Sequence, residues 1–70
     1  MKTKQSVVSS QLKEVEYDTE TSILTVTFMQ GRMYEYKDVP VDVFRKLIEA
    51  ESIGSYFISQ IKNKYQFKQI

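Results

Sequence analysis

Tyr56, Lys62, Lys64, Tyr65, Phe67 and Lys68 interleave aromatic rings with ammonium groups in the last third of a 70-residue chain. Rings stack on flat bases and ammonium groups neutralise phosphate, so this pattern suits contact with a nucleotide or a single strand of nucleic acid. Immediately upstream, Ser52-Ile53-Gly54-Ser55 opens a helix-like segment. Backbone N–H groups at a helix start, approached closely because glycine lacks a Cβ, form an anion site, and Ser52, Gly54 and Ser55 are its candidate residues. Arg32 lies at the tip of a predicted hairpin and would join this set only if the fold brings that tip to the same place. From Gly54 to Ile70 the charges are Lys62, Lys64 and Lys68 with no acid, whereas Asp38 to Glu51 holds four acids against Arg45 and Lys46. The same residues also have a purely architectural reading. Ser52 or Ser55 caps the helix, Lys62 and Lys64 complement its dipole, and Tyr65 and Phe67 dock on the core.

Other chemistries are poorly provided for. The chain has no histidine and no cysteine, which removes zinc ligation, thiol nucleophiles and imidazole bases. Carboxylates alone leave a hard-metal site, and no EF-hand-like spacing occurs, so neither a metal nor another cofactor is expected. Glu14, Glu16 and Glu35 share one face of a predicted sheet, and paired carboxylates can separate their pKa values. They stand there beside Thr25, Thr27 and Lys37 on an open surface, which makes them a solvated face. The expectation is that the protein is not an enzyme. A net charge of +1 favours no class of partner by itself. The basic N-terminus lacks the apolar stretch of a signal peptide, no apolar run is long enough to span a bilayer, and absence of cysteine fits a reducing compartment. A cytoplasmic, non-membrane protein is expected.

The elements that must position these residues follow from period. Leu12–Tyr17, Ile23–Met29 and Arg32–Lys37 alternate apolar with polar residues, the pattern of half-buried antiparallel strands. Parity then selects the second hairpin. A two-residue Gln30-Gly31 loop would set Glu35 against Val26, whereas a three-residue Met29-Gln30-Gly31 loop pairs Val26 with Tyr34 and Leu24 with Tyr36. It also puts Gly31 where the turn needs a left-handed residue. In the first hairpin, Val15 meets Val26 and Tyr17 meets Leu24 across Thr19–Ser22. One face then carries Val15, Tyr17, Leu24, Val26, Phe28, Tyr34 and Tyr36 and needs a cover. Val39-Pro40 ends the extended region, and Phe44, Leu47 and Ile48 make a stripe at helical spacing. A second helix from about Ser55 to Lys64 buries Phe57, Ile58 and Ile61. The expected fold is α+β: a three-stranded antiparallel β-meander with two C-terminal helices packed on one face (β-β-β-α-α) and a short extended C-terminal segment. Residues 1–8 are expected to be a flexible N-terminal segment and 9–70 a single domain. Tyr34 and Tyr36 belong to its core, since the RNA-recognition mode would need them on the open face, which is acidic.

The ordered set Ser9-Ser10-x-Leu12, Val15-x-Tyr17-Asp18, Leu24-x-Val26-x-Phe28, Gly31, Tyr34-x-Tyr36, Val39-Pro40, Phe44, Leu47, Ala50-x-Ser52-x-Gly54, Phe57, Ile61 and Tyr65 resembles the KTSC domain. That family takes its name from the C-terminal region of some lysyl-tRNA synthetases and also occurs as small stand-alone bacterial and phage proteins. The resemblance implies the fold over Ser9 to Tyr65 and, through the synthetase association, nucleic-acid binding. It implies no enzymatic activity.

Two functional expectations result. The first is a non-catalytic binding module for a phosphate-bearing ligand, RNA or a small nucleotide, held by Ser52, Gly54, Ser55, Tyr56, Lys62, Lys64 and Tyr65, with Arg32 where the fold permits. The second is a protein-interaction or homo-oligomerising module with no nucleic-acid ligand, including a phage-type inhibitor or sequestering protein. An uncovered edge strand and the tail Phe67-Lys68-Gln69-Ile70 would serve it.

Overall fold

The computed structural model describes residues 2–7, 9 and 11–70; Met1, Val8 and Ser10 lie outside the described residues. In chain order the elements are β1 (Lys2–Ser6), β2 (Leu12–Asp18), β3 (Ile23–Phe28), β4 (Met33–Tyr36), α1 (Val41–Glu49), α2 (Ile53–Gln60) and β5 (Phe67–Gln69). The strands form one antiparallel sheet in the order β1-β2-β3-β4-β5. The α+β class holds, but the sheet has five strands where the sequence predicts three. No helix is long and apolar enough to cross a membrane among the described residues.

The central meander forms in the predicted register. Val15 pairs with Val26 and Tyr17 with Leu24, then Val26 with Tyr34 and Leu24 with Tyr36. Gly31 sits at φ 96° in the three-residue loop. Its N–H donates to the Phe28 carbonyl and the Phe28 N–H to the Arg32 carbonyl, both at 2.8 Å. One feature of β2 escapes simple alternation. The register shifts between Leu12 and Glu14, so that Leu12 opposes Phe28 while Glu14 opposes Thr27. Lys13 is the extra residue of a β-bulge, and it turns Leu12 from the face of Glu14 to the face of Val26. Leu12 is 0% exposed as a result.

The two outer strands raise the count from three to five. Lys2–Ser6, expected to be a flexible lead-in, pairs with Glu14–Asp18 as an edge strand. Its five side chains are all exposed, so it carries no hydrophobic alternation from which a strand could be predicted. The extended C-terminal segment becomes β5. The Lys37 N–H donates to the Gln66 carbonyl and the Ile70 N–H to the Met33 carbonyl, so the edge of β4 is covered. The polar face carries cross-strand ion pairs, Lys4–Glu14 at 3.2 Å and Lys68–Glu35 at 3.8 Å.

The helices cover the other face. Phe44 and Leu47 of α1, with Phe57 and Ile61 at α2 and just beyond it, join Leu12, Val15, Tyr17, Leu24, Val26, Tyr36 and Val39 in one core. Pro40 precedes α1 with extended backbone, Asp42 lies in the first turn and Lys46 in the last, as the dipole favours. Tyr17 stacks on Phe44 with centroids 5.0 Å apart and planes 13° from parallel. α2 starts and ends earlier than predicted, at Ile53 and Gln60. The helix buries Gly54 and Phe57, and Ile58, expected in the core, is 44% exposed at the surface.

Candidate functional site: an aromatic cleft with two free cations

Alternation on β3 and β4 sends Phe28, Tyr34 and Tyr36 to the helix side of the sheet. Pairing of β5 with β4 adds Phe67 beside them, opposite Tyr36, and α2 brings Phe57 from above. Ring centroids lie 5.5 Å apart for Phe28–Tyr34, 5.7 Å for Tyr34–Phe67, and 5.4 Å for Phe67–Tyr36. The remaining two are 5.4 Å for Tyr36–Phe57 and 5.6 Å for Phe57–Phe28, which close a circuit of five rings. The contacts are edge-on or tilted, as ring quadrupoles prefer.

All five rings line one open cleft of about 290 Å³. Gln11, Gln30, Ile58 and Asn63 complete its wall together with two cations, Arg32 and Lys62, and no carboxylate is among the lining residues. Arg32 is at the hairpin tip and Lys62 just after α2; neither has an ion-pair partner among the described residues. Two uncompensated cations above low-dielectric aromatic walls focus a field that attracts anions.

The tyrosines of the core differ in how their hydroxyls are used. Tyr17 donates to the Val39 carbonyl at 2.5 Å. Tyr36 is only 3% exposed, yet its hydroxyl has no hydrogen-bond partner among the described residues and is not sealed from solvent either. Its outlet is the cleft that it lines. Burial, and secondarily the neighbouring Tyr34, push the Tyr36 phenol up to about 12, so it is a neutral group able to donate at physiological pH.

The eight residues predicted from sequence divide between three places. Arg32 and Lys62 come together in the cleft. Ser52, Gly54 and Ser55 border a separate depression of about 280 Å³ with Ser9, Gln11 and Glu51. There Ser52 acts as the cap, its Oγ accepting from the Ser55 N–H at 3.4 Å. Gly54 is buried against the β1–β2 connection, where an added Cβ would stand 3.3 Å from Ser9 Oγ. Ser9 Oγ is itself held by the N–H groups of Gln11 and Leu12. This glycine therefore serves close packing. Tyr56 and Tyr65 pack partly buried against the core without lining the cleft, and the Lys64 ammonium hydrogen-bonds Gln60 at 3.4 Å. Phe67, in the interleaved C-terminal set, also lines the cleft, whereas the sequence reading missed Phe28, Tyr34, Tyr36 and Phe57 as lining residues. A signal was present: Tyr34 and Tyr36 carry two hydroxyls at successive inward positions, and each needs a polar outlet.

Residues 8–65 match the model of the KTSC domain. The chain belongs to the KTSC domain family. Over 59 residues it is 41% identical to a lysine–tRNA ligase of Trichormus variabilis, a match covering 84% of this chain and 10% of that protein. It is 40% identical over 57 residues to an uncharacterized protein of Stutzerimonas stutzeri, covering 81% of this chain and 80% of that one. The chain thus spans about a tenth of the ligase and most of the small protein. Among solved structures it is similar to a KTSC domain protein from Yersinia pestis, with a TM-score of 0.92, 31% identity, and coverage of 100% of this chain and 99% of the other. The KTSC match contains four rings of the circuit together with Arg32 and Lys62, whereas Phe67 lies beyond it.

Proposed function

We propose that this KTSC domain is a non-catalytic binding module for a phosphate-bearing ligand with a flat aromatic part, RNA or a small nucleotide, and that the cleft between α2 and β3–β5 receives it. The observation that carries the reading is a cleft lined by five rings, of which Phe28, Tyr34 and Phe67 reach the surface, beside two cations without an ion-pair partner among the described residues and with no carboxylate in the lining. Rings supply sequence-tolerant stacking, worth about 1–3 kcal/mol per base. Arg32 and Lys62 supply the counter-charge. The similarity to a segment of lysine–tRNA ligases supports RNA as the ligand class. The depression beside Gly54 has a capped helix start and a carboxylate, Glu51, so it offers phosphate less. Fluorescence titration with a single-stranded oligoribonucleotide and with nucleoside monophosphates at low salt tests the reading. Binding that weakens as salt rises supports it, and absence of binding to every probe removes it.

Protein interaction or self-association is the second reading, and β5 supports it. Lys68 faces Glu35 across the ladder, so the peptide groups of Phe67 and Gln69 point to the open edge. Phe67 and Ile70 beside them are exposed apolar side chains. Sedimentation velocity over a range of concentrations tests it, and a monomer at every concentration with no captured partner would remove it.

A further inference from the structure

Resting on the cleft as the binding site, we infer that the ligand enters as one unpaired nucleobase and that the Tyr36 hydroxyl, with the Asn63 side-chain amide, hydrogen-bonds its edge.

Size comes first. A volume of about 290 Å³ lies at the lower end of ligand pockets, which run from about 300 to 1,000 Å³. That suits a single ring system with its sugar–phosphate left outside, within reach of the exposed side chains of Arg32 and Lys62 that line the cleft. A base pair held within a duplex has both faces stacked on its neighbours and so presents no free face to the rings of the cleft. The cleft therefore selects bases that are already unstacked, as in a single strand, a loop or a free nucleotide.

The interior then needs polar groups matched to a base edge, since rings alone cannot distinguish bases. Tyr36 provides one. Its side chain is almost wholly buried, so its hydroxyl lacks the free choice of water partners that a surface tyrosine has, and no described residue satisfies it. Because the hydroxyl reaches solvent through the cleft, an occupant that displaces its water must supply the hydrogen bond in its place. The phenol keeps its proton far above neutral pH, so it can donate as well as accept. Asn63, in the turn after α2, offers a donor and an acceptor side by side, and its amide hydrogen-bonds no described residue. A donor–acceptor pair together with one hydroxyl can discriminate bases where stacking alone cannot.

The test uses the whole chain with four probes: homopolymeric hexaribonucleotides of each base, the corresponding 5′-monophosphates, a blunt-ended RNA hairpin, and its fully paired duplex form. Wild type is expected to bind single strands at least tenfold more tightly than duplex and to prefer one homopolymer. Tyr36→Phe keeps the ring and is expected to weaken the preferred probe by about three- to tenfold, the size of one hydrogen bond, while leaving the others unchanged. Asn63→Ala, at an exposed turn that the core does not need, should lower the same preference and guards against a folding defect in the first variant. Monophosphates that bind as tightly as hexamers identify a free nucleotide as the source; hexamers that bind much more tightly identify a strand. Duplex binding equal to single-strand binding, or a base preference untouched by both substitutions, overturns the inference while the cleft remains a binding site. Failure of wild type to bind any probe removes the underlying functional reading itself.

Discussion

The Tyr17 hydroxyl donates a hydrogen bond to the Val39 carbonyl at 2.5 Å, fastening β2 to the peptide that precedes α1 across 22 residues of sequence. The ring of the same tyrosine stacks on Phe44, so one side chain positions the first helix by both its polar and its apolar parts. Tyr17→Phe keeps the stack but leaves the buried Val39 carbonyl without this donor. Its expected cost is about 1–3 kcal/mol, measured by urea denaturation, and a variant as stable as wild type would show that the bond contributes nothing net.

Gly31 tests the second hairpin. Space is not the constraint, because nothing lies within 4 Å of a Cβ built there; the backbone at φ 96° is. Gly31→Ala should therefore destabilise by about 1–2 kcal/mol with no change in the pocket's residues. Gly31→Asn should lose less, since asparagine tolerates left-handed backbone better. Equal stability of the alanine variant would contradict the turn geometry.

Phe57 and Phe67 are both in the aromatic circuit but differ in burial, at 1% and 53% exposed. Phe57→Ala opens a hole in a small core and is expected to cost about 3–5 kcal/mol, enough to unfold most of a marginal domain of this size. Phe67→Ala should leave the melting temperature within a few degrees of wild type while lowering oligonucleotide affinity. Circular dichroism melts paired with binding titrations distinguish the two, and a Phe67 variant with full affinity would argue against the cleft.

Salt dependence assigns the cations. For a single strand, each neutralised phosphate adds about 0.7 to the slope of log K against log salt. Arg32→Gln and Lys62→Gln should each flatten the slope by about that amount. Lys68→Gln, whose ammonium is engaged by Glu35 on the opposite face, should leave it unchanged. A slope altered by Lys68→Gln alone would move the site to the other side of the sheet.

Alkaline pH reports on Tyr36. Its phenol titrates at 10.0 when unperturbed and is pushed up to about 12 in the fold, mainly by burial. Between those values the unfolded chain loses this proton first, so the folded state binds more protons and stability falls as pH rises. The contribution is intact below pH 10 and is lost on approaching pH 12. Denaturation midpoints of wild type and Tyr36→Phe, compared from pH 8 upwards, isolate it from the lysines. The two should run parallel to about pH 10 and then converge or cross.

The fold was legible wherever side chains alternate between water and core. Parity alone recovered both hairpin registers, because Glu35 and Val26 cannot share a face. It failed where burial no longer marks the strand. β1 and β5 expose all their side chains, so their only signature is backbone pairing, which leaves no trace in residue type. The bulge at Lys13 was equally silent, and it explains why Leu12 belongs to the core against its apparent parity. At the cleft, charge singles out Lys62 and Arg32, which the fold brings to one place, whereas alternation assigns Phe28, Tyr34, Tyr36 and Phe57 to packing alone. Tyr36 is both a core residue and a wall of the cleft, and sequence alternation cannot separate those roles, since it reports which face a residue takes and not whether that face is fully covered.

The three-residue strand β5 gives the cleft a property beyond shape. Short, exposed elements open at a lower free energy than the core to which they are attached, and Phe67 travels with β5. One wall of the cleft is thus expected to open at a lower free energy than the rest of the domain. The affinity measured for any occupant includes the equilibrium of that docking, and an occupant that touches Phe67 slows amide hydrogen exchange of β5 without touching its backbone.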